Sequence, residues 1–63
     1  MYPIVRMSNK RHGFQRSIVN EAPGVYRWSI EKDGQLSSSN TEPTFEDALR
    51  VVRSTTRFLH ERG

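Results

Sequence analysis

His12 and His60 are the only two imidazoles of the chain, and there is no cysteine. Disulfides and cysteine-based zinc sites are thereby excluded. A histidine metal site needs further ligands at defined spacing, and these two residues stand far apart in segments expected to be exposed. Serine is plentiful, yet none sits in a G-x-S-x-G elbow and no motif supplies a His/Asp partner. Glu46, Asp47 and Glu61 are accounted for by helix capping and surface ion pairing. Gly13, Gly24 and Gly34 each stand alone, so no glycine-rich phosphate loop exists. These residue types predict no enzyme, no metal and no cofactor.

The remaining chemistry is cationic. Eight of the ten basic residues are arginine, whose planar fork suits bidentate contact with phosphate or base edges. Residues 1–27 carry Arg6, Lys10, Arg11, Arg16 and Arg27 against Glu21 alone, whereas residues 28–63 carry five basic and six acidic side chains. The basic excess therefore belongs to the first half. Its plain reading is solubility, because a small domain ordinarily carries a net charge near this +3. Its functional reading makes Arg6, Lys10, Arg11, Arg16 and Arg27 candidate nucleic-acid-binding residues. Arg50, Arg53 and Arg57 form a helical stripe, but Glu46 and Glu61 lie four residues outside it, which predicts a solvated, ion-paired face. Trp28 alternates with Tyr26 and Ile30, so it is expected to anchor the core rather than stack on a base.

These side chains must be positioned by few elements. Pro43, Thr44 as a cap and Asp47 three residues on signal a helix start. Phe45, Ala48, Leu49, Val52 and Leu59 then repeat at three- and four-residue spacing, predicting an amphipathic helix over 44–60. Val51 and Phe58 widen its apolar surface, either to pack under the N-terminal segment or to form a dimer contact. Upstream, Val25 to Lys32 alternates as a strand, Asp33-Gly34 turns, and Gln35 to Ser39 returns. A three-residue loop, Lys32-Asp33-Gly34, is expected because it pairs Ile30 with Leu36 and buries Leu36; a two-residue loop pairs Glu31 with Leu36 instead. Phe14 to Val19 is a further strand, joined through Ala22-Pro23-Gly24 in a type II turn. Ser8 to Gly13 reads as a polar loop, and Tyr2 to Met7, which contains Pro3, as either an edge strand or a loose arm.

The fold class is therefore α+β. A three-stranded antiparallel sheet over 14–39, with an extra N-terminal strand as an option, packs against one C-terminal α-helix, and residues 1–13 are a flexible arm if they are not that strand. Sixty-three residues are too few for two independent domains. A chain of this size buries only about 60% of its unfolded surface, so its core is small. No run approaches the roughly 20 apolar residues of a membrane span and no signal peptide is visible, which predicts a cytoplasmic protein without a membrane partner.

Gly24-Val25-Tyr26-Arg27-Trp28-Ser29-Ile30, a glycine turn, and Pro43-Thr44-Phe45-Glu46-Asp47-Ala48-Leu49 carry two resemblances. The pattern is similar to small bacterial proteins of unknown function with a W-x-[IV] hairpin followed by a T-x-x-[ED]-A helix. As topology over residues 14–60, it also resembles the three-stranded DNA-binding domains of plant ethylene-response factors and the arm-binding domains of tyrosine recombinases. That second resemblance implies an open sheet entering the major groove, with Arg27 and Arg16 where strand arginines meet DNA. The dense arginine and tryptophan pattern of the plant domains is absent from this chain. The expected function is a small non-enzymatic binding domain for nucleic acid, through the open sheet face and the basic N-terminal half. The alternative partner is a protein, including a second copy of the chain.

Overall fold

The computed structural model describes residues 2–62. Four strands, β1 (Ile4–Arg11), β2 (Phe14–Ala22), β3 (Val25–Lys32) and β4 (Gln35–Glu42), precede one helix, α1 (Phe45–Arg62). The strands form a single antiparallel sheet in the order β1-β2-β3-β4. The architecture is α+β, and the N-terminal segment is a fourth strand rather than an arm. Ser8 to Arg11, expected as a loop, lies within β1 and pairs with Ser17 to Phe14 of β2. An edge strand tolerates such polarity, because only Met7 of β1 is even half-buried. Pro3 falls just before the strand, where its missing N–H costs no ladder bond.

Two of the three turns are two-residue loops with both central residues left-handed. His12 and Gly13 have φ of 55° and 83°, and Asp33 and Gly34 have 53° and 79°. This is the type I′ pattern, whose twist matches that of the flanking strands. The expected three-residue loop is therefore incorrect. Glu31 pairs with Leu36, a bulge at Ser37 follows, and Ile30 pairs with Ser38. Leu36 points to the open face and stays 61% exposed. The third turn is Pro23-Gly24, closed by Ala22 and Val25 and with Gly24 at φ 74°, as a type II turn requires. Buried Asn20 secures it by donating from Nδ2 to the carbonyls of Ala22 at 2.6 Å and Val25 at 3.1 Å.

One face of the sheet is buried by the helix. Phe14, Ile18, Trp28, Ile30, Ala48 and Val52 form the core, with Met7, Tyr26, Phe45, Leu49, Val51 and Leu59 packed around it. Trp28 is core, as its alternation predicts, and its Nε1 donates to Glu42 Oε2 at 3.2 Å. Thr44 caps the helix: its Oγ1 accepts from the Asp47 amide at 3.1 Å. The Asp47 carboxylate turns to Arg50 at 3.0 Å instead of back to the cap.

The helix crosses the sheet on a diagonal. Phe45, at its start, meets Tyr26 edge-on with ring centroids 6.5 Å apart. His60, near its end, stacks on His12 in the β1–β2 turn at 4.0 Å. The path covers mainly β3, β2 and part of β4, leaving the helix side of β1 beside an open groove. It also leaves the Leu36 corner of β4 uncovered, so turning Leu36 inward gains little burial. Val51 and Phe58 lie on the flank away from β1, because the helix advances about 100° per residue and the opposite flank carries Leu49, Arg53 and Arg57. Phe58 is accordingly 54% exposed, with the Arg62 guanidinium 5.2 Å from its ring centroid.

Candidate nucleic-acid interface

Strand pairing distributes the five candidate basic residues over different surfaces. Arg27 pairs with Val19 and Lys10 with Gln15, which places both on the open face. Arg27 is not free there: its Nε lies 2.9 Å from Glu21 Oε2. The sequence offers no acidic neighbour on β3 next to it, but the neighbour comes from β2. Ser17 and Ser29 share a hydroxyl hydrogen bond of 2.8 Å beside this pair. Arg6 is exposed in the bulge between Val5 and Met7. Arg16 and Arg11 belong to the opposite face, since Arg16 pairs with core Ile30 and Arg11 with core Phe14. The open sheet face therefore does not gather the predicted set.

The other side of the sheet does gather cations. A groove of about 550 Å³ runs between β1 and α1, lined by Met7, Asn9, Arg11, His12, Arg16, Leu49, Arg53, Thr56 and Arg57. Among the described residues, four guanidiniums and no carboxylate line it. Arg11 and His12 come from the first strand and its turn, and Arg53 and Arg57 from one helix flank at i and i+4. Arg16 comes from the inward face of β2, where Phe14-x-Arg16-x-Ile18 keeps the two-residue period of the core. It is only 7% exposed.

Arg16 is held by a single neutral partner. Its Nε donates to Asn9 Oδ1 at 3.0 Å, and among the described residues no carboxylate lies within ion-pair distance. Its Nη groups bond to no described residue, and Arg16 lines the groove. Burial, followed by the like charges of Arg11 and Arg53, lowers the Arg16 pKa from its ordinary value. An arginine remains charged under such a shift. The result is a recessed cation without a counterion among the described residues, in the field of Arg11 and Arg53.

The His12–His60 stack stands at the turn beside the groove, with rings 11° from parallel. The two histidines, expected far apart, are thus brought together by the helix diagonal. Desolvation, then the charges of His60, Arg11 and Arg16, hold His12 below its ordinary value. Among the described residues, no three histidine or acidic side chains group as metal ligands, and no helix is long and apolar enough to cross a membrane.

Asn9, His12, Arg53 and Arg57 were not among the candidates read from sequence. The charge spacing predicts an ion-paired helix stripe, yet among the described residues Arg50 alone of the three finds a carboxylate, Asp47. The signals that locate the groove are the inward phase of Arg16 and the shared flank of Leu49, Arg53 and Arg57. No family model, curated protein or solved structure matches the chain.

Proposed function

We propose that this protein is a non-enzymatic nucleic-acid-binding domain that grips the phosphate backbone in the groove between β1 and α1. The observation that carries this reading is the set Arg11, Arg16, Arg53 and Arg57 on one groove without a lining carboxylate. Four buried or converging guanidiniums repel one another, and a phosphate backbone relieves that repulsion with charge-assisted, bidentate hydrogen bonds. The open sheet face, with Arg27 neutralised by Glu21, is secondary, and Lys10 and Arg6 add peripheral charge.

The test is a titration with mixed-sequence single-stranded and duplex DNA across salt concentrations. Four phosphate contacts give a slope of log affinity against log salt near −3 for single strands and between about −3 and −4 for duplex. Arg53→Gln reduces both affinity and slope, while Arg27→Gln changes affinity less than about twofold. The opposite ranking, with Arg27 dominant, returns the interface to the open face; no binding at low salt removes the reading.

A self-association reading has one observation of its own. Tyr2, just before edge strand β1, and Ile4 and Val5 at its start are 45%, 38% and 66% exposed. Sedimentation at rising protein concentration tests it: a dimer that Val5→Lys dissolves supports it, and a monomer throughout rejects it.

A further inference from the structure

We infer that the β1–α1 groove is built for a phosphate monoester, the terminal phosphate of a nucleic-acid strand, with Arg16 at its floor and Arg11, Arg53 and Arg57 at its rim. This rests on the nucleic-acid reading and narrows it from backbone to strand end. Three features of the groove argue for an end.

The first is depth. Arg16 is 7% exposed, whereas Arg11, Arg53 and Arg57 are exposed. A phosphodiester inside a strand has a sugar on both sides and reaches the rim more readily than the floor. A terminal phosphate has a substituent on one side only and enters to the floor. The second is charge. Four guanidiniums with no carboxylate among the lining residues match a monoester, which carries about −1.5 to −2 and three acceptor oxygens. A diester carries a single charge and two such oxygens, leaving guanidinium donors unsatisfied. The third is preorganisation. The 3.0 Å bond from Nε to Asn9 fixes the Arg16 guanidinium plane while leaving its Nη groups free, so a ligand oxygen meets an oriented fork. The groove volume of about 550 Å³ lies in the small-ligand range of about 300–1,000 Å³. That suits a terminal nucleotide and excludes a duplex from entering whole.

The experiment uses the full chain and ten-nucleotide single strands of one sequence, labelled at one end and carrying phosphate or hydroxyl at the other, in both polarities. At near-physiological salt, where backbone contacts are weakened, one phosphorylated end is expected to bind about tenfold tighter than its hydroxyl counterpart, as for a gained charged hydrogen bond. Arg53→Gln and Arg57→Gln, both at exposed positions that leave the core intact, should erase that preference. Asn9→Ala should reduce it while removing no charge, which separates orientation of Arg16 from bulk electrostatics. Inorganic phosphate should compete with the phosphorylated strand and leave hydroxyl-ended strands bound.

Equal binding of phosphorylated and hydroxyl strands, both weakened by Arg53→Gln, overturns the inference and leaves backbone binding in place. Inorganic phosphate shifting the Arg16 Nε–H resonance without any strand binding keeps the monoester pocket but overturns its nucleic-acid occupant. No response to strands or phosphate overturns both.

Discussion

At the residue scale, His12 couples backbone, ring stacking and charge. It occupies the first central position of a type I′ turn at φ 55°, a left-handed conformation that asparagine and glycine adopt at lower cost. Its ring lies against His60 at 4.0 Å, and desolvation with the charges of His60, Arg11 and Arg16 holds its pKa down. A histidine held below its ordinary pKa of about 6.5 binds fewer protons folded than unfolded once pH falls below that value. Stability therefore rises with pH up to about 6.5 and is level above it as far as His12 is concerned. The melting temperature should fall between pH 7.5 and 5.5. His12→Asn, which keeps the turn and removes the titrating ring, should flatten that fall. A wild-type melting temperature constant across the window contradicts the account. Trp28 gives a second residue-scale prediction. It is 4% exposed and bonded to Glu42, so Trp28→Ala should cost about 3–5 kcal/mol. That is comparable to the whole stability expected of a domain this size, about 3–9 kcal/mol. A cooperative urea transition surviving in Trp28→Ala with its midpoint little changed places the ring outside the energetic core.

At the element scale, the hairpin joining β3 and β4 shows where local and tertiary preferences part. Asp33-Gly34 adopts the turn its own chemistry favours, and Leu36 is left 61% exposed as a result. Leu36→Thr should shift the urea midpoint by less than about 0.5 kcal/mol equivalent. A loop that buried Leu36 would instead make that change cost about 2 kcal/mol or more, and such a loss refutes the two-residue register. The sequence carries the alternation of Val25 to Lys32, the Thr44 cap and the helix stripe, because each is set by neighbours a few residues apart. It carries the inward phase of Arg16 too, since Phe14 and Ile18 flank it at two-residue spacing. The Leu36 register is different. Its turn chemistry is local, but whether that chemistry outweighs burial of Leu36 depends on which corner of the sheet the helix leaves open, and that follows from the diagonal running from Tyr26 to His12. The same diagonal makes the groove, by bringing Arg53 and Arg57 opposite Arg11. Local charge spacing pairs Arg57 with Glu61 on paper, yet among the described residues Arg57 has no carboxylate within ion-pair distance. A cation cluster assembled from β1, β2 and α1 has no signature in any one segment.

At the scale of the whole molecule, charge segregates across a thin body. The Cα envelope measures 36 × 20 × 15 Å, room for one sheet, one helix and a single layer of side chains between them. Such a body cannot place Arg16 far from the other guanidiniums, and its groove concentrates positive charge while Asp47 and Glu21 are engaged elsewhere. Self-repulsion of this kind opposes the compact state and is screened over about 10 Å at 0.1 M salt. Raising sodium chloride from 0.02 to about 0.5 M should therefore raise the melting temperature, against the usual direction for a protein held by surface ion pairs. Arg53→Gln should be more stable than wild type at low salt and respond less to added chloride. Phosphate at matched ionic strength should stabilise wild type beyond chloride, because an anion bound only by the folded groove adds its own free energy through mass action. That excess should disappear in Arg53→Gln. Calorimetric melts of both proteins in chloride and phosphate read all three effects at once. A wild-type melting temperature that falls as chloride rises means that attractive pairs dominate the molecule and that the groove arginines do not strain it.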